Sequence, residues 1–198
     1  NTYSERGKEK TEPNMKTQEL GKTGEEVSAL CLGTMWFGSK TDEETSRKLL
    51  DKYYEAGGRF LDTANNYATW LEGVEEPTSE PLVGRWIEDR GYRDDLFIAT
   101  KLGFNPNEIP QRLSPDIIEQ EVEKSLDRMN LDTIDLLYAH VDDPETDQEE
   151  TMEAFNRLVE EEKVRYIGAS NFLGWRLMRA NMIAERNDWE TYECIQTR

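Results

Sequence analysis

Residues 133–140 read TIDLLYAH, a mostly apolar run that ends in the only histidine of the chain, His140. A second apolar run, LFIATK at residues 96–101, ends in Lys101. Near-continuous apolar strands are buried on both faces, and a parallel sheet covered by helices supplies that burial. The two stretches therefore predict an α/β fold built on parallel strands.

The rest of the chain repeats this pattern, because short apolar runs alternate with amphipathic segments of helical length. Such alternation is typical of parallel βαβ units. Ahead of the first unit, KTQEL and EEVSAL flank the turn sequence GKTG and predict a β-hairpin. The predicted strands of the units are residues 30–32, 60–62, 96–100, 133–138, 166–169 and 194–196.

Five crossover helices are expected between these six strands, and four of them have a recognisable start. Each start places a capping side chain just before the first turn and acidic side chains within it, where free N–H groups and the helix dipole favour them. The four starts are residues 41–44, 79–80, 114–116 and 147–150.

Polar residues at the strand ends distinguish between two sheet architectures. A doubly wound sheet and a barrel both fit the alternation of strands and helices. Asp62, Lys101, His140, Ser170 and Asn171 lie at or just past the carboxyl ends of the predicted strands. In a barrel those ends converge on one mouth, and catalytic groups come from several strands. We therefore predict an α/β, TIM-type (β/α) barrel.

The charge of the chain restricts its partners. Acidic residues outnumber basic ones by 42 to 24, which gives a net charge of −18. This balance excludes the phosphate backbone of nucleic acids and anionic membranes as expected partners. The acidic surface is explained either by solubility or by adaptation to high salt, where self-repulsion is screened.

Membrane, secretion and cysteine signals are also missing from the sequence. No apolar run approaches a membrane span, and no signal-peptide pattern opens the chain, so a cytoplasmic protein is expected. Cys31 and Cys194 lie in apolar segments without a CxxC or histidine-rich neighbour. We interpret both as small buried hydrophobic residues and expect no metal site.

Three residues suggest chemistry when each is compared with a purely structural role. Lys101 follows so apolar a run that it needs an anionic partner, and Asp62 is the candidate, although an aspartate there could also cap the next turn. Tyr67, on the loop after Asp62, is either a rim aromatic or a general acid. A nearby ammonium would favour the phenolate and lower the tyrosine pKa from its usual value of about 10.

Five motifs occur along the chain in a defined order and spacing. They are LGTMWFG at 32–38, DTANNY at 62–67, IATK at 98–101, LLYAH at 136–140 and IGASNF at 167–172. Together they resemble the aldo-keto reductase superfamily, from about Met15 to the end of the chain. DTANNY, followed by Ser-Glu at 79–80 and Leu-Val-Gly at 82–84, is also similar to the branch of bacterial general reductases and potassium-channel β-subunit-like proteins.

The resemblance implies NAD(P)H-dependent reduction of an aldehyde or ketone, a small-molecule carbonyl substrate. Tyr67 would donate the proton, Lys101 paired with Asp62 would tune Tyr67, and His140 would orient the carbonyl oxygen. NADPH is the expected cofactor, with NADH as the alternative. The implied cofactor-binding residues are Gly33, Thr34, Met35, Asp62, Ser170, Asn171 and Gln196, and the substrate pocket is assigned to Trp36, Trp70 and His140.

The sequence departs from the family in the number of strands. A family barrel has eight, and six are predicted here, so residues 15–198 are expected to form a partial barrel. Residues 1–14 are polar, lack periodicity and are expected to be a disordered extension or a vector-derived remnant.

An open barrel exposes two sheet edges and part of its apolar interior. These surfaces could be covered in three ways: by a second copy of the chain in a homodimer, by a separate polypeptide, or by the rest of a longer product. Two functional alternatives follow, an inactive or weakly active fragment and a non-catalytic nicotinamide-binding or regulatory module.

Overall fold

The computed structural model describes residues 15–104 and 113–197. In these ranges an antiparallel hairpin precedes an alternating series of strands and helices. The strands are β1 (Thr17–Glu19), β2 (Glu26–Ser28), β3 (Leu32–Gly33), β4 (Phe60–Asp62), β5 (Phe97–Leu102), β6 (Ile134–Ala139), β7 (Val164–Ser170) and β8 (Tyr192–Gln196). The helices are α1 (Glu43–Glu55), α2 (Ser79–Arg90), α3 (Pro115–Met129), α4 (Gln148–Glu160) and α5 (Gly174–Arg186).

The six later strands form one parallel sheet whose spatial order, β3 to β8, is the same as the chain order. Each neighbouring pair is joined by one helical crossover, which is the connectivity of a (β/α) barrel. The curled sheet has six strands, whereas a closed barrel of this type has eight, so the barrel is incomplete. The prediction of an incomplete TIM-type barrel with an N-terminal hairpin is confirmed.

Burial of β5 and β6 on both faces explains their apolar sequences. All residues of the two strands are buried. Alternate side chains, such as Ile98 and Leu137, pack outward in the core cluster that also contains Trp86. The intervening side chains, such as Phe97 and Leu136, pack inside the curled sheet. The polar residues at the strand ends are therefore held by two rigid layers.

Two of the four predicted helix starts have a side-chain cap, whereas Ser114 occupies the N-cap position of α3 without a capping hydrogen bond from its side chain. Asp42 accepts a hydrogen bond from the Thr45 amide at 2.8 Å, and Asp147 accepts one from the Glu149 amide at 2.9 Å. The interpretation of Ser79 as a cap is wrong, since Thr78 occupies the N-cap position of α2. Ser79 is the first helical residue and is fully buried.

The hairpin closes the amino-terminal end of the curled sheet. Leu20 and Val27 pack against the inward-facing side chains of the sheet. The amide of Lys22 donates to Glu193 Oε2 at 3.1 Å, and Glu25 pairs with Arg165 of β7. The opposite end, where the carboxyl ends of the strands lie, stays open.

Four further expectations concern the first barrel strand, the two cysteines, residues 1–14 and membrane spans. The first barrel strand begins at Leu32 and not at Leu30, whose side chain is exposed. Cys31 and Cys194 are half-buried, and both are free thiols. Residues 1–14 lie outside the described ranges. Within those ranges, no helix is long and apolar enough to cross a membrane.

The outer face of α5 is unusually apolar. Trp175, Met178 and Met182 recur at helical spacing, and each is about 61–62% exposed. Leu173, just before the helix, is exposed to a similar extent, and Ile195 on the neighbouring β8 is 41% exposed. This face lies at the β8 end of the sheet.

Candidate active site

Four polar side chains meet at the open end of the sheet. Asp62 is the last residue of β4, Lys101 is near the end of β5, and His140 directly follows β6. Tyr67 is on the loop that leaves β4. The convergence of carboxyl strand ends predicted from the sequence is therefore present in the structure.

Lys101 is the centre of this group. Its Nζ lies 2.8 Å from Asp62 Oδ2 and 2.7 Å from Oδ1. The ammonium also donates to the main-chain oxygen of Thr63 at 2.7 Å and to the Tyr67 hydroxyl at 2.7 Å. An ammonium has three N–H donors, so these three residues satisfy it. Lys101 is 1% exposed, and a buried charge is tolerated only with such complete pairing.

The ionisation of Tyr67 differs from the expectation. Burial, followed by the negative charge of Asp62, raises the pKa of Tyr67 above its usual value. Burial also lowers the pKa of Lys101, and attraction to Asp62 opposes that shift. The expected lowering of the Tyr67 pKa is wrong for this structure, because transfer of the phenolate out of water outweighs a single cationic neighbour. The phenol is therefore protonated at neutral pH.

The loop carrying Tyr67 is tied to the end of β5. The Asn65 amide donates to the Lys101 main-chain oxygen at 3.0 Å. The side-chain amide of Asn66 donates to the Phe104 oxygen at 2.5 Å. The ring of Tyr67 packs edge-on against Trp70, with 6.2 Å between their centroids. These contacts hold the phenol against Lys101.

A cavity of about 430 Å³ opens over this group. Its volume is within the usual range for small-molecule sites. The ring of His140 is 6.3 Å from the ring of Tyr67 and 5.4 Å from that of Phe104, measured between centroids. The lining residues are Met35, Tyr67, Trp70, Phe104, His140, Ser170, Asn171, Gln196 and Thr197.

Comparison with known proteins identifies the family. Residues 29–194 match the family model described as "Aldo/keto reductase family". The chain belongs to the aldo/keto reductase family. Its members are oxidoreductase enzymes, as the names of the similar proteins indicate.

Three curated relatives illustrate the similarity of this aldo/keto reductase to known proteins. The chain is 41% identical to the uncharacterized oxidoreductase YrpG of Bacillus subtilis over 174 residues, which covers 84% of the chain and 52% of YrpG. It is 36% identical to norsolorinic acid reductase of Aspergillus flavus, over 87% of the chain and 47% of that protein. It is 37% identical to aryl-alcohol dehydrogenase [NADP(+)] of Phanerodontia chrysosporium, over 80% and 43%. The chain thus spans about half the length of the curated relatives it matches.

One wall of the aldo/keto reductase cavity is polar. Ser170 and Gln196 are at the ends of β7 and β8, and Asn171 lies between them. The side-chain amide of Asn171 donates to the His140 main-chain oxygen and to Ser170 Oγ, both at 3.0 Å. Gln196 Nε2 is 3.4 Å from Asp62 Oδ2. All three residues predicted around the nicotinamide therefore line one cavity, and Gln196 lies beside Asp62.

The residues predicted from the LGTMWFG segment are more dispersed. Met35 lines the cavity, but Gly33 and Thr34 are not among the lining residues. Thr34 is fully buried, and its hydroxyl donates to the Asp62 main-chain oxygen at 2.9 Å. Trp36 packs edge-on against Trp70 at 6.0 Å between centroids, so only Trp70 lines the cavity directly.

Several residues near the site were not predicted from the sequence. Phe104 was missed although it follows Lys101 by three residues, a position from which an aromatic side chain can reach the same mouth. Thr63 and Ser79 were missed as neighbours of the site, and Thr34 was assigned to the cofactor path. Their hydroxyls form a buried network behind Asp62. No metal-binding group of three His, Cys, Asp or Glu side chains occurs within the described ranges.

Proposed function

We propose that this protein reduces aldehydes or ketones to alcohols with NADPH as the hydride donor. The observation that carries the proposal is the buried Lys101 ammonium, which contacts both Asp62 and the hydroxyl of Tyr67. A phenol held this way at the floor of a cavity can give its proton to a carbonyl oxygen. Membership of the aldo/keto reductase family supports an oxidoreductase.

Each residue of the group has a role in this proposal. Tyr67 donates the proton to the oxygen that develops negative charge, and His140 binds and orients that oxygen. Lys101 stabilises the phenolate left on Tyr67 after the transfer. Asp62 keeps Lys101 charged, since attraction to this carboxylate opposes the effect of burial on the lysine pKa. The raised pKa of Tyr67 keeps the proton in place until substrate arrives.

The polar wall of the cavity fits the nicotinamide end of a dinucleotide. A carboxamide offers both donors and acceptors, and Ser170, Asn171 and Gln196 present one hydroxyl and two amides on one side. When bound, the cofactor would supply the hydride, which is chemistry that no side chain provides. The residues of the chain would fix the carboxamide and so orient the ring toward the floor at Tyr67.

The other walls support an aromatic carbonyl compound as substrate. Trp70, Phe104 and Met35 face the same space as Tyr67, and flat aromatic groups stack well on such walls. The name of one relative, an aryl-alcohol dehydrogenase, indicates aryl compounds for that protein, and the name of another, norsolorinic acid reductase, indicates a reduction. We extend the reduction of aryl compounds to this chain as part of the proposal.

The test is the oxidation of NADPH by the purified chain in the presence of an aryl aldehyde. We expect Tyr67→Phe to lower kcat by about a hundredfold or more, since a positioned general acid contributes on that order. Tyr54→Phe serves as the matched control, because Tyr54 lies on α1 and bonds to Asp95 away from the cavity. Equal turnover in Tyr67→Phe and wild type would refute the proposed role. Cofactor binding without any turnover would favour the non-catalytic alternative.

A further inference from the structure

Three hydrogen bonds lead from the Thr63 hydroxyl to the main-chain oxygen of Asp62, so that together with the Asp62–Thr63 peptide they close a ring. Thr63 Oγ1 is 2.8 Å from Ser79 Oγ, and Ser79 Oγ is 2.6 Å from Thr34 Oγ1. Thr34 Oγ1 is in turn 2.9 Å from the main-chain oxygen of Asp62. Thr34, Thr63 and Ser79 are all 0% exposed.

Each hydroxyl has a single hydrogen to donate, and this determines which residue is the donor in each of the three bonds. A carbonyl oxygen only accepts, so the single hydrogen of the Thr34 hydroxyl points to Asp62 O. Ser79 must then donate to Thr34, and Thr63 must donate to Ser79. The three hydroxyls form a one-way chain that begins on Thr63 and ends on the residue before it. Such chains polarise their members and strengthen each other in a buried setting.

The two residues held by this chain provide most of the environment of Lys101. Asp62 contributes the carboxylate, and Thr63 contributes the main-chain oxygen, at 2.7–2.8 Å from Nζ. The segment is fixed on its other side as well, because the Thr63 amide donates to the Ala99 oxygen at 2.9 Å. Thr34 follows β3 and Thr63 follows β4, whereas Ser79 is the one member of the chain that lies in a helix, α2.

We propose that Ser79 is a positioning residue for carbonyl reduction. Its hydroxyl joins Thr63 to Thr34, holds the Asp62–Thr63 segment in place and thereby keeps the Lys101 ammonium against the hydroxyl of Tyr67. Ser79 does not line the cavity and acts only through these residues. This inference rests on the proposed function, since it assigns Ser79 to the same site.

The first experiment compares Ser79→Ala with wild type in the NADPH assay. We expect kcat to fall by about tenfold and KM for the aldehyde to change by less than about twofold, because small displacements of catalytic groups act on the reacting state. Ser46→Ala is the matched control, since Ser46 is equally buried in the first turn of α1 and bonds only to main-chain oxygens there. An unchanged kcat in Ser79→Ala, or a loss confined to KM, would overturn the inference.

A second comparison tests whether Ser79 acts through the hydroxyl chain. Thr63→Val removes one neighbour of Ser79, whereas Thr63→Ser retains the hydroxyl. In the Ser79→Ala/Thr63→Val double variant, the loss in kcat should be well below the product of the single losses, since both break one chain. Thr63→Ser should restore most of the activity lost in Thr63→Val. Multiplicative losses would contradict the proposed coupling.

A spectroscopic measurement separates this inference from the proposed function. The ammonium of Lys101 is buried with all three donors engaged, so its ¹H–¹⁵N signal should be observable in wild type and in Ser46→Ala. We expect the signal to broaden or disappear in Ser79→Ala, and also in Thr34→Val if Ser79→Ala does not fold. A wild type without turnover would refute the function alone. A Lys101 signal unchanged in the folded variants would refute the role of Ser79.

Discussion

At the scale of single residues, the site depends on how completely one buried ammonium is paired. The sequence predicted the pairing of Lys101 with Asp62, because a lysine after an apolar strand needs an anion. It did not predict the Thr63 main-chain oxygen as a partner, since that contact depends on the path of the backbone after β4. The direction of the Tyr67 pKa was predicted wrongly, because the burial of a loop residue is set by distant elements.

Tyr192 provides a residue-scale test of buried polar groups. Its ring packs between Phe155 and Phe172, and its hydroxyl has no hydrogen-bond partner among the described residues. Replacing it by phenylalanine removes a buried polar atom without leaving a cavity. We expect Tyr192→Phe to raise the free energy of unfolding by about 1 kcal/mol, measured by urea denaturation at pH 7. A loss of stability of that size would mean that the hydroxyl is bonded after all.

The same variant has a pH signature. Burial raises the pKa of Tyr192 in the folded chain above its usual value of 10.0. The folded state therefore holds this proton more tightly than the unfolded state. Ionisation of Tyr192 therefore leaves the free energy of unfolding unchanged below about pH 10. Above that pH the free energy of unfolding falls, by up to about 1.4 kcal/mol per pH unit. Urea titrations between pH 9 and pH 11 should show a shallower decline in Tyr192→Phe than in wild type.

At the scale of elements, α2 and α3 are joined by close packing and a buried ion pair. A Cβ added to Gly84 of α2 would lie 2.4 Å from the main-chain oxygen of Met129. Glu80, fully buried at the start of α2, pairs with Arg128 of α3 at 2.6 Å and accepts from Thr100 at 2.6 Å. These contacts place the first turn of α2, and with it Ser79, against the strand ends.

Gly84→Ala tests the close approach of the two helices. Alanine favours helix more than glycine does, but here its methyl group would overlap the backbone of α3. We expect a loss of about 1–3 kcal/mol in the free energy of unfolding, as is usual for overpacking. Gly174→Ala is the matched control, because nothing lies within 4 Å of the added Cβ at this first residue of α5. The control should stay within about 0.5 kcal/mol of wild type, and equal effects in both variants would contradict the packing argument.

The starts of helices were predicted correctly from the sequence where only nearby residues determine the cap. The starts at residues 41–44 and 147–150 were identified because a short polar side chain before a helical pattern can bond to the free amides of the first turn, as Asp42 and Asp147 do. Ser79 has the same local signal, yet its hydroxyl faces Thr34 and Thr63. Whether the Ser79 side chain caps α2 or is buried depends on how α2 packs against the end of β4. The local sequence does not reveal that packing.

At the scale of the whole molecule, acidic charge dominates the surface. The chain carries a net charge of −18, and its sequence pI is about 4.5. Ion pairs leave this net charge unchanged, because the basic groups in them are already counted in it. Like charges repel each other across a small fold, and salt screens that repulsion. The expectation of adaptation to high salt remains a prediction.

Salt should therefore stabilise the folded chain. We expect the midpoint of thermal unfolding at pH 7.5 to rise by several degrees when NaCl is increased from low concentration to about 1 M, because the Debye length falls to about 3 Å. The same series near pH 5, closer to the pI, should give a smaller rise because less repulsion remains to be screened. A midpoint that does not change with salt at pH 7.5 would rule out this explanation of the acidic surface.

The overall architecture was predictable because it repeats. The alternation of strands and helices predicted parallel βαβ units, and the polar residues at the strand ends, Asp62, Lys101 and His140 among them, favoured the strand order of a barrel over that of a doubly wound sheet. The contacts of the hairpin were not predictable, since Glu25 and Arg165 are 140 residues apart in the sequence. Nothing in either local segment identifies its partner.

This long separation has a consequence for the order in which the protein is assembled. Every strand from β4 to β8 pairs with the strand made just before it, so each unit can join the growing sheet as it leaves the ribosome. The hairpin is synthesised first, but its contacts with Arg165 and Glu193 become available only when β7 and β8 emerge. Contacts of the hairpin with the start of β4 can form earlier, as in the bond from the Arg59 amide to Ser28 Oγ, but its full set of contacts is complete only after β7 and β8 have been made.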